Sequence, residues 1–362
     1  MRFVHIADMH FGNSFSSLQS NNNFIEKRKY NQKQAFDKII EYIKDNNIEH
    51  FFIAGDLFEQ DSFNKSSGLK DVEYCNKKFS EIPNTKIWIS PGNHDPYIKN
   101  SYYQTFLWSS NVVIFKNTVE CYETSDADFY GYGFGNFYEN NSKIEEIYLK
   151  NPNKLNILIC HADIDASKNT EKTYNPISSK KLLEIGFDYM ALGHIHKPMF
   201  SKNSRIIYPG STICLSFGSG IGNHGFVTGE ISKDVYNIDF ITLDSDFYIE
   251  TTIDISDYIN ISELIQSINN SYFDQDSVYQ ITLTGKRKFY IDETAILRHI
   301  NIPNVLKIKD ETSNNYDYKK IALENNLKGY FVREMLEKLE NCSEEEIKKI
   351  QMAMEIGLAS FE

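Results

Sequence analysis

The chain has 362 residues, a formal net charge of −12 at pH 7, 41% hydrophobic residues and 24% charged residues. Its length excludes a single small binding module, because a chain of this size can bury the core of a full catalytic domain. Its acidity argues against broad electrostatic adhesion to nucleic acid, whose phosphates attract clusters of Lys and Arg. Its apolar runs are all shorter than the roughly 20 residues that a membrane span requires.

The start of the chain and its cysteines predict the compartment. The first residues enter a strand-like pattern at once and lack the apolar region and cleavage site of a secretory signal. We expect the cysteines to be reduced thiols, because they are scattered without a Cys-x-x-Cys pair. They are Cys75, Cys121, Cys160, Cys214 and Cys342. Both observations predict a cytoplasmic protein without a membrane segment.

Short apolar runs recur through the first 245 residues, and we predict that they form strands. They cover residues 3–7, 51–54, 87–89, 112–115, 129–134, 157–160, 189–192, 205–208, 226–231 and 240–243. Helical patterns lie between several of them, and the clearest places its apolar residues on one face over residues 35–43. Alternating strands and helices predict an α/β domain over residues 1–245.

The composition becomes more acidic and polar after the last of these strands. Two helical patterns then alternate with two strand-like runs, which predicts a small α/β domain over residues 246–312. Residues 313–362 contain helix formers with apolar spacing, and we predict two helices that are broken near residues 341–343. Ser343 and Glu346 have the spacing of a capping box for the second helix.

Two acidic motifs follow the first two long strands. Asp8 and His10 are two residues apart, so on an extended chain both side chains project to the same side and can meet one ion. Asp56 follows Gly55, which permits a tight turn, and its two carboxylate oxygens can bridge two cations. Ligand sites in α/β sheets form at strand ends, where both motifs lie.

The third motif combines an amide, an imidazole and a carboxylate in the run Gly92-Asn93-His94-Asp95. Asn93 offers a neutral oxygen that can bind a metal ion without cancelling its charge. His94 is a candidate general acid for a leaving oxygen. Asp95 is close enough in sequence to orient or charge-stabilise His94, so we predict a catalytic pair.

Two further strand ends carry histidine. His161 follows the apolar run at residues 157–160, and His194 and His196 repeat the same-side spacing of the first motif. A single histidine at a strand end is usually structural, but seven candidate ligands at five strand ends are better explained by a metal site. Imidazole, carboxylate and amide ligands together suit first-row divalent ions such as Mn, Fe or Zn. Two such ions would form an electropositive centre that attracts phosphate esters.

At these residues the chain resembles the calcineurin-like metallophosphoesterase superfamily, whose pattern D-x-H, G-D, G-N-H-D, H and G-H-x-H is complete here. The resemblance implies two facing sheets flanked by helices, an α/β/β/α sandwich. It implies two ion sites that share one carboxylate: Asp8, His10 and His196 on one ion, Asn93, His161 and His194 on the other, and Asp56 between them. It also implies that His94 is a catalytic histidine that binds neither ion.

Residues 2–10, 53–58, 189–197 and 207–211 are similar to the DNA-repair exonuclease branch of that superfamily, the SbcD-like proteins. This resemblance implies a nuclease subunit, exonuclease or endonuclease, that depends on manganese, with iron, zinc or magnesium as alternatives. It also implies a homodimer that acts on DNA with an SbcC-like coiled-coil ATPase. The small domain would then correspond to a DNA-capping domain, and the C-terminal helices would either hold the ATPase or cover this chain's own core.

Two other functions fit the same residues. The protein can be a phosphatase or phosphodiesterase for a small phosphorylated molecule, or a DNA-end-binding subunit that mainly docks an ATPase. Basic residues 27–29 and 286–288 either contact phosphates or lie on a solvated surface. Residues 129–134 alternate aromatic side chains with glycine, so they either stack on bases or form a strand packed closely against its neighbour.

Overall fold

The computed structural model describes residues 1–18, 21–59, 66–166, 173–314, 316–339 and 343–361. The chain divides into two compact units, Met1–Phe247 and Tyr248–Glu362. Each unit has its own buried apolar clusters. A further division of the second unit near residue 312 stays a prediction. No described helix is long and apolar enough to cross a membrane.

The first unit alternates strands with helices over most of its length. Its strands are β1 (Arg2–Ile6), β2 (His50–Ile53), β3 (Lys86–Ile89), β4 (Val112–Ile114), β5 (Glu120–Glu123), β6 (Ala127–Tyr132), β7 (Leu155–His161), β8 (Asp163–Ile164), β9 (Pro176–Ile177), β10 (Tyr189–Gly193), β11 (Ile206–Ile207), β12 (His224–Ile231) and β13 (Tyr236–Asp244). Its helices are α1 (Asn22–Asp45), α2 (Ser66–Ser80), α3 (Tyr102–Thr105) and α4 (Ser179–Ile185). Every predicted strand of this unit overlaps an observed one. Three observed strands were not predicted, because β5 is only partly buried and β8 and β9 have two residues each, so none of them contains an apolar run.

The described strands of the first unit form two large sheets that face each other. The first sheet has the order β13-β12-β1-β2-β3-β4, and the second has the order β11-β10-β7-β6-β5. One apolar cluster takes side chains from both sheets, and the rings of Trp88 and Phe129 stack across it with centroids 4.2 Å apart. Helices α1 and α2 pack on the outer face of the first sheet, and α4 packs on the outer face of the second. The predicted α/β fold, a two-sheet sandwich flanked by helices, is therefore confirmed.

The two-residue period of the strands explains how one sheet serves two cores. On β1, Phe3 belongs to the cluster between the sheets, whereas its neighbour Val4 belongs to the cluster under the helices. On β2, Phe52 and Phe51 divide in the same way. Because both faces of these strands are buried, their sequences are mostly apolar rather than alternating, with one buried histidine in each, His5 and His50.

The aromatic segment at residues 129–134 is a packed strand. Phe129 and Tyr132 are buried, and a Cβ atom added at Gly131 would lie 2.7 Å from the Ile159 carbonyl oxygen. Glycine is therefore required there because strand β7 approaches closely. Of the two interpretations of this segment, base stacking is excluded, because its rings are inside the protein.

The basic residues 27–29 are not simply a charged surface. Arg28 is completely buried, and its guanidinium donates to both carboxylate oxygens of Asp244 and to the Cys214 carbonyl oxygen. It also lies over the ring of Phe247, 4.4 Å from the centroid. Lys29 pairs with Glu26 in solvent at 3.0 Å. Both interpretations of the cluster are wrong for Arg28, which is an internal ion-pair residue.

The second unit combines a small parallel sheet with helices. Its strands are β14 (Tyr248–Asp254), β15 (Val278–Thr284), β16 (Lys286–Arg287), β17 (Val305–Asp310) and β18 (Ser313–Asn314), and its helices are α5 (Ile261–Asn269), α6 (Glu293–His299), α7 (Tyr318–Ala322), α8 (Leu327–Leu339) and α9 (Glu344–Ala359). Strands β14, β15 and β17 are parallel, and α5 and α6 bury their apolar residues against them. The predicted small α/β module is present, and the C-terminal segment is helical as predicted. It contains three helices rather than the predicted two, because the short helix α7 is separate from α8.

The capping box of the last helix is present, with the Ser343 amide donating to Glu346 Oε2 at 3.0 Å. The first two residues of the predicted break at 341–343 lie outside the described residues, and Cys342 is one of them. In the second basic cluster, Arg287 donates to Asp310 and Thr312 and also pairs with Glu355. Arg287 is therefore a bridging residue inside its unit.

Candidate metal centre

The sandwich brings the predicted motifs together at one edge. Strands β1, β2 and β3 are parallel in the first sheet, and β7 and β10 are parallel in the second, so each set ends on the same side. The loops after these strands contain backbone conformations that are unusual for residues other than glycine. Asp8, His10 and Asp56 have φ near 50°, and His194 has φ of 108°. Such strain is concentrated at functional sites.

Two glycines allow the loops to approach closely. A Cβ atom at Gly92 would lie 2.2 Å from Asp56 Oδ1, and a Cβ atom at Gly193 would lie 1.9 Å from the Ala54 carbonyl oxygen. No side chain fits at either position without moving a loop. The glycines of the third and fifth motifs therefore have a steric role, which is to bring the ligand-bearing loops into contact.

One group of candidate ligands contains Asp8, His10 and His196. Their ligand atoms all lie within 4.8 Å of one another. The Nε2 atoms of His10 and His196 are 3.3 Å apart. His10 directs its other ring nitrogen, Nδ1, towards Glu59 at 3.1 Å, which leaves Nε2 available to a cation.

A second group contains Asp8, Asp56 and His161, again with ligand atoms within 4.8 Å of one another. His161 Nδ1 donates to the Ala54 carbonyl oxygen at 2.9 Å, which directs Nε2 into the site. That Nε2 lies 3.0 Å from Asn93 Oδ1 and 3.3 Å from Asp56 Oδ2. His161 Nε2 therefore has two oxygen atoms close to it, and a bound cation would be held by all three atoms through their lone pairs.

The charge state of this group follows from the same geometry. Burial by itself would lower the pKa of His161, but the carboxylates of Asp56 and Asp8 raise it to about 9. Burial would raise the pKa of Asp56, and the neighbouring His161 and His10 lower it below its ordinary range. A protonated His161 thus supplies the positive charge that the carboxylates require when no ion is bound.

His194 and His196 are neutral imidazoles by environment. Burial, with the charge of His161, lowers the pKa of His194 to about 4, and burial, with His10, lowers the pKa of His196 to about 3. The His194 amide donates to both carboxylate oxygens of Asp8 at 3.1 Å, and its ring centroid lies 5.3 Å from that of His161. Neutral imidazole is the form that binds a metal ion.

Glu59, which the sequence motifs did not indicate, contacts two of the predicted site histidines. Its Oε1 lies 2.6 Å from His94 Nδ1, and its Oε2 lies 3.1 Å from His10 Nδ1. Burial would lower the pKa of His94, but the hydrogen bond to Glu59 raises it to about 9. A signal was available, because Glu59 is an acidic residue on the same short loop as Asp56. His94 also lies within 4.8 Å of ligand atoms of His10 and Asp56.

Asp95 has a different position from the one predicted. Its buried Oδ1 accepts from the amides of Asp56 and Gly92, and its Oδ2 accepts from the Phe58 amide and the Tyr103 hydroxyl. Burial raises its pKa to about 7. Asp95 therefore ties together the loops that carry the candidate ligands. The carboxylate that contacts the His94 ring is that of Glu59, so the expectation that Asp95 orients this ring is corrected.

Comparison with known proteins agrees with this geometry. The model of the family described as calcineurin-like phosphoesterase matches residues 1–198, a range that contains every candidate ligand. The chain is 23% identical over 287 residues to the uncharacterized metallophosphoesterase YhaO of Bacillus subtilis. The aligned region covers 75% of this chain and 67% of that protein. The chain is also 26% identical over 272 residues to the SbcD nuclease subunit of Staphylococcus epidermidis. That aligned region covers 67% of this chain and 70% of the nuclease subunit. The chain therefore belongs to the calcineurin-like phosphoesterase family, whose members are metal-dependent phosphoester hydrolases that use divalent ions.

Proposed function

We propose that this protein is a nuclease subunit that hydrolyses phosphodiester bonds in DNA, with two bound manganese ions, during DNA repair. The observation that carries hydrolysis is the position of Asn93 Oδ1 at 3.0 Å and of Asp56 Oδ2 at 3.3 Å from His161 Nε2, beside a second group of ligands. The choice of DNA is supported by the similarity to the SbcD nuclease subunit of Staphylococcus epidermidis. It is also supported by the sequence likeness to the SbcD-like branch.

We assign the ligands by the motif pattern. Asp8, His10 and His196 would hold one ion and Asn93, His161 and His194 the other, with Asp56 shared between them. Asp8, His10 and His196 also cluster in space, as do Asp8, Asp56 and His161, whereas His194 is assigned by its motif alone. When bound, two such ions position the phosphate, lower the pKa of the attacking water and stabilise the departing oxygen. Manganese suits this mixture of imidazole, carboxylate and amide, and iron, zinc and magnesium are the alternatives to test.

His94 protonates the departing oxygen in this proposal. Glu59 engages its Nδ1 atom at 2.6 Å, so Nε2 is the atom that gives up the proton. The raised pKa of about 9 keeps the ring protonated at neutral pH before the reaction. The His94 amide donates to Asp56 Oδ1 at 2.8 Å, which couples the acid to the proposed bridging carboxylate.

The proposed partners are an SbcC-like ATPase and a second copy of this chain. Support for the ATPase comes from the C-terminal helices, which expose large apolar side chains, and such patches often mark protein interfaces. On α8, Leu327 is 71% exposed and Tyr330 is 57% exposed, and on α9, Met352 is 54% exposed. Residues 313–362 would then be the docking segment, and residues 246–312 would be a DNA-facing cap.

A phosphodiesterase for a small molecule is the second candidate function. It is favoured by the net charge of −12 and by the internal ion pairs of Arg28 and Arg287, which withdraw two cationic groups from contact with a DNA backbone. The third candidate, an end-binding subunit that mainly docks the ATPase, predicts salt-sensitive binding of DNA with little cleavage.

The deciding experiment incubates the purified protein and Mn²⁺ with linear duplex DNA, single-stranded DNA, a cyclic nucleotide and an aryl phosphate in separate reactions. The proposal expects cleavage of at least one DNA that is abolished by a chelator and by His161→Ala. Rapid turnover of the small esters while both DNAs stay intact would refute the nuclease proposal. Tight binding of DNA ends without cleavage would favour the docking subunit.

A further inference from the structure

Helix α1 carries a buried polar side chain that the ion pair of Arg28 does not explain. Gln32 is 2% exposed and lies on the same face of the helix as the buried Phe36. Its Nε2 atom lies 2.6 Å from the Met9 carbonyl oxygen and 3.1 Å from the His10 carbonyl oxygen. Carbonyl oxygens only accept hydrogen bonds, so Gln32 donates to both. An apolar residue would suit this face of the helix, so the two hydrogen bonds are what the glutamine adds.

The turn that Gln32 contacts holds two proposed ligands in a strained conformation. Asp8 and His10 both have φ of 51°, a left-handed conformation that persists only when neighbouring groups enforce it. Their amides donate to carbonyl oxygens of the second motif at 3.1 and 2.9 Å, which fixes one side of the turn. On the other side, the His10 carbonyl also accepts from the Asn13 amide at 3.0 Å, whereas among the described residues the Met9 carbonyl accepts from Gln32 alone. Loss of the Gln32 amide would therefore free one side of the turn.

A second buried amide contacts the other group of ligands in the same manner. Asn175 is 2% exposed, and its Nδ2 atom donates to the His161 carbonyl oxygen at 2.8 Å. Its Oδ1 atom accepts from the Tyr132 hydroxyl at 3.1 Å, and its backbone amide donates to the Glu139 carbonyl oxygen at 2.7 Å. Its φ of 52° is left-handed, a conformation that asparagine adopts more readily than most residues. Asn175 is thus fixed at several atoms, and it holds the residue that ends β7.

Each of these two amides is bonded to the carbonyl oxygen of a histidine that we assign to a different ion. Groups that form hydrogen bonds around metal ligands fix the orientation of those ligands, and their loss typically weakens metal binding about 10- to 100-fold. We propose that Gln32 and Asn175 are positioning residues, Gln32 for the ion of His10 and Asn175 for the ion of His161. This inference rests on the proposed function, because it uses the assignment of ligands to two ions. Both residues act through the backbone and touch neither an ion nor the substrate.

Titration calorimetry of Mn²⁺ into the metal-free, full-length protein measures the two ions separately. The unmodified protein should show two binding events, and His196→Ala should lose one of them, which identifies the ion that Gln32 supports. Gln32→Met keeps the length of the side chain without a donor, and it should raise the Kd of that event by about tenfold or more and leave the other event unchanged. Asn175→Gly, in which glycine tolerates the left-handed backbone, should weaken the other event alone.

Asn111→Leu is the matched control for the loss of a buried amide. The Asn111 Nδ2 atom donates to the carbonyl oxygens of Phe79, Ile82 and Thr85 at 3.1, 2.9 and 3.1 Å. Asn111 and Thr85 directly precede strands β4 and β3, so this amide lies at the end of the first sheet opposite to the candidate ligands. Asn111→Leu should lower the Tm and leave both Mn²⁺ binding events unchanged, which separates a loss of stability from a loss of ligand positioning.

Equal weakening of both ions by Gln32→Met would overturn the inference. So would unchanged Kd values in a Gln32→Met variant whose Tm falls, since that result indicates a purely structural role. A single binding event in the unmodified protein would also contradict it, because the two residues are assigned to two ions. The titration needs no substrate, so a protein that shows the expected pattern of Kd values and cleaves no phosphoester would support the positioning and refute the proposed hydrolysis.

Discussion

At the residue scale, the candidate centre is defined by the two oxygen atoms close to His161 Nε2. Asn93 Oδ1 lies 3.0 Å and Asp56 Oδ2 lies 3.3 Å from that nitrogen, and the pKa of His161 rises to about 9 because its proton offsets the charge of the neighbouring carboxylates. His94, by contrast, is held through Nδ1 by Glu59 and is 35% exposed. Replacement of His161 and replacement of His94 should therefore have different effects on the protein.

We predict that His161→Ala loses bound metal, whereas His94→Ala keeps both ions and loses most of its activity. General acid catalysis contributes about 10²- to 10⁴-fold in rate, so kcat of His94→Ala should fall by at least about 100-fold. Metal content is measured by elemental analysis after dialysis, and activity is measured on the best phosphodiester substrate. His299→Ala, at an exposed histidine in the second unit, is the control. Equal metal loss in both site variants would contradict the separate roles.

His5 makes the free energy of unfolding depend on pH. Burial lowers its pKa from the ordinary 6.5 to about 3. Between these two values the unfolded chain binds a proton that the folded protein excludes, so the folded state becomes less stable as pH falls from 6.5 towards 3. Near the middle of that range, His5 changes the free energy of unfolding by about 1.4 kcal/mol for each pH unit.

Replacement of His5 by Phe should therefore flatten the pH dependence, and urea unfolding at pH 7.5 and pH 5.0 measures it. The quantity to compare is the change in the free energy of unfolding between the two pH values. The free energy at a single pH is not suitable, because the Tyr189 hydroxyl, 3.0 Å from His5 Nδ1, loses its partner in the variant and this changes the stability at every pH. Identical slopes in the variant and the unmodified protein would show that His5 titrates normally in the folded state.

At the element scale, helix α1 is joined to the first sheet by a buried ion pair. Its N-cap is Asn21, whose side chain accepts from the Asn23 amide at 3.0 Å. Further along the same helix, Arg28 is inaccessible to solvent and Asp244, at the end of β13, is 12% exposed. A buried pair of this kind contributes little by itself, but the loss of one partner leaves a charge without compensation.

We predict that Asp244→Asn lowers the free energy of unfolding by about 3 to 5 kcal/mol, because Arg28 then keeps its charge in the interior. Lys29→Gln, which removes an exposed pair with Glu26 on the same helix, should cost less than about 1 kcal/mol. Denaturation in urea measures both values. A cost for Asp244→Asn as small as that for Lys29→Gln would mean that water reaches Arg28.

At the scale of the whole molecule, the two units have separate apolar clusters. Within the part of the chain that the structure describes, the clusters given for the first unit use residues before Phe247, and those given for the second unit use residues from Ile249 onwards. All candidate ligands lie in the first unit. Hydrolysis of a small phosphodiester should therefore need the first unit alone, whereas any contribution of the second unit should concern DNA or a partner.

We predict that a fragment of residues 1–247 folds, binds metal and hydrolyses a small phosphodiester. It retains the cluster between the sheets, both helix-packed clusters and the Arg28–Asp244 pair. Cooperative thermal unfolding, elemental analysis and a turnover assay are the measurements, with the same fragment carrying His161→Ala as the inactive control. A fragment that lacks a cooperative transition would show that the first unit depends on the second.

Much of the fold and of the candidate site follows from local properties of the sequence. A strand that is buried on both faces is mostly apolar, so β1, β2 and β7 were predictable from residues that are neighbours in the chain. The candidate ligands were predictable for the same reason, because the spacing in Asp8-x-His10 or His194-x-His196 and the position after a strand are features of a short segment.

Only the tertiary structure decided which groups meet across distant segments. Asp95 is the neighbour of His94 in sequence, but the carboxylate that contacts the His94 ring is that of Glu59. The Asp95 carboxylate instead accepts hydrogen bonds from backbone amides of two loops. Arg28 is buried because an acidic residue more than two hundred positions away supplies its counter-charge. Such contacts depend on loop conformation and long-range packing, whereas sequence patterns report the period of a strand and the chemistry of its ends.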